Sequence, residues 1–236
     1  MYTLSSTHFV RGSQGRPARR AQFAFAFVLA FGLWPAAGAQ TCGSLSNDDF
    51  GPYDYRTAEP KLLREVEGYH FTTKVETLRG GESTYIGGDL DYTLRAFPNH
   101  TRALLAMVRL AEKEKRDPPQ GSRYSVDCWF DRAVRYAPDD GQVRMVHAFH
   151  LARKGQSQQA VKELEQARAL IGEDANVHYN LGLAYFDLKD FDKSLYHAQH
   201  AYRLGFALPG LKNKLAQAGR WREGPVSDRP ETPPVR

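Results

Sequence analysis

The sequence predicts an all-α protein: a short α-solenoid of antiparallel helix pairs, with an irregular N-terminal extension and a C-terminal capping helix. Three observations predict it. Residues 140–170 recur at 174–204 with a fixed offset of 34, which pairs Asp140 with Asp174, Val143 with Val177, Ala148 with Gly182, Leu151 with Tyr185, Ala160 with Ser194, Ala167 with Ala201 and Leu170 with Leu204. Within each copy, apolar and small residues recur at spacings of three and four, the period of a helix that buries one face. A repeat of this length is two helices that cannot bury their apolar faces until a neighbouring unit stacks on them.

The elements follow in chain order. Glu59-Pro60 followed by Leu62, Leu63 and Val66 predicts a helix beginning near Pro60, since proline suits the first helical position. A second, short helix is expected over 72–78, and residues 89–97, closed by Pro98-Asn99, read as the end of another. Ala133, Tyr136 and Pro138 stand 34 residues before Ala167, Leu170 and Gly172, so 126–137 reads as a second helix whose partner is 101–115. Ala133 lies 27 residues after Ala106, against 19 in each later unit, so eight extra residues swell the loop 116–124.

Asp140 and Asp174 are expected helix N-caps. Gly155-Gln156 and Lys189-Asp190 make the tight turns, and Gly182 lets two helices approach closely. The last full helix presents Ser194, Leu195, Ala198, Ala201 and Leu204 as its packing stripe. Residues 209–218 form a lone capping helix through Leu211 and Leu215. From Gly219 no apolar stripe remains, so a disordered tail is expected over 219–236. The expected division is a signal peptide (1–39), an N-terminal extension or cap (40–97), a repeat domain (98–218) and the tail.

Leu181, Gly182, Tyr185, Phe191 and Ala201 stand where the tetratricopeptide repeat family carries its signature residues. The segment resembles that family, with His147 and Ala148 in the earlier copy replacing the usual leucine and glycine. The whole chain is similar to secreted tetratricopeptide proteins of Gram-negative bacteria, a resemblance that implies export and protein binding but no particular activity.

Arg11, Arg16, Arg19 and Arg20 precede an uncharged stretch from Phe23 to Trp34, and Ala37-Gly38-Ala39 then offers a small-residue cleavage site. The pattern predicts a signal peptide cleaved after Ala39 and a periplasmic or secreted product. Twelve apolar residues are short for the roughly 20 that span a bilayer, so no membrane span is expected after cleavage. The formal charge of +5 owes four arginines to residues 1–39, leaving +1. No basic stripe interleaved with aromatics points to nucleic acid.

In an oxidising compartment the two cysteines, Cys42 and Cys128, are expected to pair. His197 with His200, and His147 with His150, each have metal-ligand spacing. His197 and His200 are expected on an outer face away from the packing stripe, however, and His147 on the packing face, so no metal site is expected. Asp89 and Asp91, two apart on a helix, are expected to be capping or solvated. Asn99-His100-Thr101 matches a glycosylation sequon. Nucleophile elbow, zinc-protease, phosphate-loop and dinucleotide signatures are absent from the sequence, and neither catalysis nor a cofactor is expected.

Successive first helices of such a repeat line one face, which here presents Gln142, Met145, Val146, Phe149 and Arg153, then Asn176, Tyr179, Asn180, Leu183, Phe186 and Asp187. That mixture suits an extended peptide or an amphipathic helix. The predicted function is an exported, monomeric adaptor or assembly factor that binds a protein or peptide. Some tetratricopeptide domains hold a carboxylate with lysine and asparagine, and Asn180 and Lys214 occupy comparable positions, although Met145 and Phe149 replace other polar members. Tyr53, Asp54, Tyr55 and Arg56 are read as part of a cap over the first helix pair, or else as a recognition patch. The alternative function is a hydrolase or metal-dependent enzyme whose site forms where the N-terminal extension overlies the groove.

Overall fold

Asp140 and Asp174 start two helices in the same way: one carboxylate oxygen accepts the backbone N–H groups of Gln142 and Val143, and of Asn176 and Val177 respectively. These bonds satisfy donors that the first helical turn leaves without partners. A computed structural model describes residues 42–45, 50–83 and 85–223. The predicted signal peptide with its cleavage site, and the tail beyond residue 223, lie outside the described residues.

Ten helices and no strand occur among the described residues. They are α1 (Pro60–His70), α2 (Thr73–Glu76), α3 (Ile86–Ala96), α4 (Thr101–Glu114), α5 (Val126–Tyr136), α6 (Gly141–Arg153), α7 (Ser157–Ile171), α8 (Ala175–Asp187), α9 (Phe191–Arg203) and α10 (Gly210–Gln217). The pairs α6·α7 and α8·α9 are the most extensively packed, and α7 lies against α8, so the fold is an all-α solenoid of tetratricopeptide-like helix pairs. No helix among the described residues is long and apolar enough to cross a membrane.

Among the described residues, four apolar clusters run along the stack. Trp129, Phe130, Leu90, Leu94, Leu104 and Met107 fill the space among α3, α4 and α5, and Val143 carries this cluster into α6. Leu151, Ala160, Leu164, Val177 and Leu181 fill the next level. Alanines and Gly182 stand where helices cross: a β-carbon at Gly182 would collide with the Leu211 side chain, and the Gly182 carbonyl accepts the Ser194 hydroxyl at 2.8 Å. Leu211 and Leu215 of α10 are fully buried and close the last pair, together with Tyr179, Leu183 and Phe186. Trp221 extends that closure by setting its ring edge-on to Tyr202.

The enlarged loop between α4 and α5 is packed down rather than projecting. Trp129 donates its indole N–H to Ser122, Asp117 accepts the Val126 N–H at the start of α5, and a β-carbon at Gly87 would strike the Gln120 carbonyl. Cys42 and Cys128 form a disulfide, with α-carbons 5.0 Å apart. The chain beside it is held by Arg132, which donates to the carbonyls of Cys42 and Ser44 at 3.0 and 2.6 Å.

Two expectations need correction. His197 is not on an outer face but buried between α8 and α9, while Leu204, assigned to the packing stripe, is 43% exposed. The buried register of α9 is Ser194, His197, Ala198 and Ala201. An imidazole takes that position because His178 supplies the hydrogen bond its burial requires. Asp89 and Asp91 are not solvated: both are buried. Asp89 accepts the Glu82 N–H and the Ser83 hydroxyl and pairs with His70, and Asp91 holds the Arg95 side chain and the Arg123 backbone N–H. They organise the loops flanking α3, which a helical face reading ignores. Asn99, the acceptor residue of the sequon, is completely buried and fully bonded, so the folded chain offers no glycosylation site there.

Candidate functional site

Phe149 and Arg153 stand one turn apart on α6, and Asn180, Leu183 and Asp187 follow a similar stripe on α8. Between them lies a cavity of about 280 Å³, floored by Ala148, Ala152, Leu164 and Ala184 and closed at one end by Lys214 of α10. The alanines leave the space: larger side chains there would fill it. Phe149 is 39% exposed at the rim. Among the described residues, the side chains of Asn180, Asp187 and Lys214 make no hydrogen bond or ion pair within the protein. The Lys214 ammonium lies 5.3 Å from the centre of the Phe186 ring. An apolar floor with a few unengaged polar groups is the usual composition of a recognition pocket.

Arg153 forms one wall. Its guanidinium grips Glu112 of α4 through two bonds and lies 5.6 Å from the Phe149 ring centre, and the Glu112 carboxylate raises its pKa. Beyond this pair a second cavity of about 390 Å³ opens between α4 and α6, lined by Val108, Ala111, Lys115, Arg116 and Lys154 among others. His150 in its wall is buried, stacks on Phe130 and meets Asp127 at 2.7 Å. Burial holds its imidazole below the ordinary histidine value.

The structure divides the predicted face. Phe149, Arg153, Asn180, Leu183 and Asp187 line the first cavity. Tyr179 instead stacks on Phe206 with ring centres 3.9 Å apart, and Phe186 packs edge-on to Phe191, so α10 and the segment before it occupy that part of the surface. Met145 and Val146 pack against the two central clusters. Gln142 and Asn176 are exposed in the first turns of α6 and α8. The floor alanines and Glu112 were not among the predicted residues. The repeat register marks Ala148 as a crossing position, but a cavity depends on which neighbours fail to fill it.

The N-terminal extension spends its polar groups on the fold. Asn99 donates to Asp54 at 2.8 Å and to Asp140 at 3.0 Å, and accepts the Tyr55 backbone N–H. Arg56 pairs with Asp54 and Asp139, and holds the Asp54 carboxyl well below the usual carboxylate range. Tyr55 stacks on buried His100 at 3.9 Å, and both bond Glu67. A shallow hollow of about 520 Å³ runs beside Tyr53, Asp54, Leu62 and Glu65. Among the described residues, no group of three or more His, Cys, Asp or Glu is placed to hold a metal ion.

No protein-family model and no curated protein matches the chain. Among solved structures, MamA MSR-1 C2 is 16% identical, with a TM-score of 0.42 over 64% of this chain and 80% of its own. The assignment of the fold rests on the helix pairs themselves.

Proposed function

We propose that this chain is an exported tetratricopeptide-like protein that binds a segment of another protein, as an adaptor or assembly factor, on the face formed by α6, α8 and α10. The observation that carries this reading is the cavity whose apolar floor is bordered by exposed Phe149 and by Asn180, Asp187 and Lys214, whose side chains make no hydrogen bond or ion pair among the described residues. Polar groups presented beside apolar surface favour a peptide, whose backbone needs donors and acceptors while its side chains need burial. In this reading residues 40–97 cap the stack: Asp54, Tyr55 and Arg56 are committed to Asn99, His100, Asp139 and Asp140 and leave little for a ligand. Export is supported by the basic start, the apolar run and Ala37-Gly38-Ala39.

The test is side-by-side affinity capture from an envelope extract with the chain from Gln40 onward, its Phe149→Ala variant and a Tyr53→Ala variant on the extension. Loss of a captured protein with Phe149→Ala alone supports the reading. Loss with Tyr53→Ala alone would move the binding surface to the extension. N-terminal sequencing of the protein recovered from the envelope checks the start at Gln40.

A further inference from the structure

His178 of α8 and His197 of α9 are both buried, at 1% and 5% exposure, and their Nδ1 atoms lie 3.0 Å apart. Two such nitrogens at that distance share one proton. The other end of His178 decides which one carries it. Its Nε2 lies 2.9 Å from a carboxylate oxygen of Glu173, which only accepts, so His178 carries its proton on Nε2 and presents a bare Nδ1. His197 must therefore donate from Nδ1. The result is a directed chain, His197 to His178 to Glu173, that joins α9, α8 and the turn before α8 with both rings neutral.

We propose that this chain is an acid-sensitive latch that holds α8 against α9. A first proton can be accommodated: His178 becomes an imidazolium donating to Glu173 and to His197, once His197 moves its own proton to Nε2. A second proton cannot. With both rings cationic each Nδ1 bears hydrogen, and the contact becomes two opposed N–H groups carrying like charge.

The surroundings reinforce this. On the α8 side Tyr185 lies parallel to the His197 ring. On the α9 side His200 stacks on His178, Tyr196 sets its ring against both His197 and His200, and Lys193 and Arg203 add positive charge. Arg168 of α7 adds more. Glu173 is the anion bonded to the chain, Glu165 of α7 is engaged with Arg168, and Asp190 is paired with Lys193 at 3.0 Å. Burial, with His178 and these cations, lowers the His197 pKa to about 3, and burial also lowers that of His200. The next residues of α8 after His178 are Tyr179 and Asn180, so release of the latch loosens the helix that forms one wall of the cavity. The latch itself is independent of what that cavity binds.

The test is histidine-ring nitrogen NMR and amide hydrogen exchange on the full chain from pH 7.5 to about 4.5. At pH 7.5 His178 should be the Nε2–H form and His197 the Nδ1–H form. On acidification, exchange protection over 175–203 should fall, with His197→Phe removing about one proton from its pH dependence. Glu173→Gln changes an exposed residue and serves if His197→Phe does not fold. It removes the group that accommodates the first proton, so release should move to higher pH. The latch is overturned if both rings titrate near the ordinary histidine value while protection over 175–203 is unchanged, or if neither variant alters the pH dependence.

Discussion

Asn99 donates its side-chain amide to Asp140 across 3.0 Å, joining the turn before α4 to the N-cap of α6. The two residues sit at the starts of first helices in adjacent units, so one hydrogen bond couples two levels of the stack while the other Asp140 oxygen caps α6. Asn99 is fully buried, and its remaining bonds reach Asp54 and the Tyr55 backbone.

Asn99→Ala is therefore expected to cost about 2 to 4 kcal/mol in urea unfolding, because it strands buried partners rather than deleting a surface contact. Asn99→Asp keeps the shape but turns a donor into a third carboxylate beside Asp54 and Asp140. It should be at least as damaging at neutral pH and should recover partly in acid.

Acid should destabilise the fold in two stages. Burial lowers the folded-state pKa of His100, His150, His197 and His200, so the unfolded chain binds more protons below its ordinary histidine value. Stability from this source is fully present above about pH 7.5 and falls as the pH drops through 6.5. For His197, held at about 3, the gap from 6.5 down to pH 5 corresponds to about 2 kcal/mol. A second loss follows below about pH 4 as Asp54, Glu67 and Asp127, all lowered in the fold, take up protons. Melting temperatures measured from pH 8 to 3 should show both declines.

Gly182→Val should cost about 1 to 3 kcal/mol, since its side chain must displace Leu211 and crowd the Ser194 carbonyl at a helix crossing. Gly155→Ala is the control. It faces open space but has φ of +75°, so any loss there reflects backbone strain and not packing.

The disulfide closes a separation of 86 residues. Reduction, or Cys42→Ser with Cys128→Ser, should lower stability by up to about 4 to 5 kcal/mol on the chain-entropy account. Far-ultraviolet circular dichroism under native conditions should stay helical, because α6–α8 carry a core of their own and α8–α10 another.

Phe149→Ala and Tyr179→Ala separate binding from folding. Phe149 is exposed at the cavity rim, so its loss should weaken partner binding by about 1 to 3 kcal/mol with little change in melting temperature. Tyr179 anchors the C-terminal closure through Phe206, so its loss should cost about 1 to 3 kcal/mol of stability instead. Calorimetry of the unfolding of each variant, beside the capture experiment, distinguishes the two.

The helix pairs were legible because a 34-residue offset with small residues at fixed places is a statement about backbone spacing, which any stack of such units obeys. The Asp140 and Asp174 caps were legible for the same local reason. What the predicted binding face presents was not. Periodicity says which side chains leave a helix on one side, but whether Tyr179 meets solvent or Phe206 depends on where α10 returns. The polar interior was hidden in a different way. His197 read as an outer-face residue, and Asp89 and Asp91 as capping or solvated, because burying a polar group is costly and only a bonding partner brought by the fold removes that cost. By itself the sequence determined the repeat, its caps and its crossing positions, all set by contacts within a few turns of chain. The tertiary structure decided the cavity and the buried hydrogen bonds, because both depend on which atoms distant residues bring, or fail to bring, to the same place.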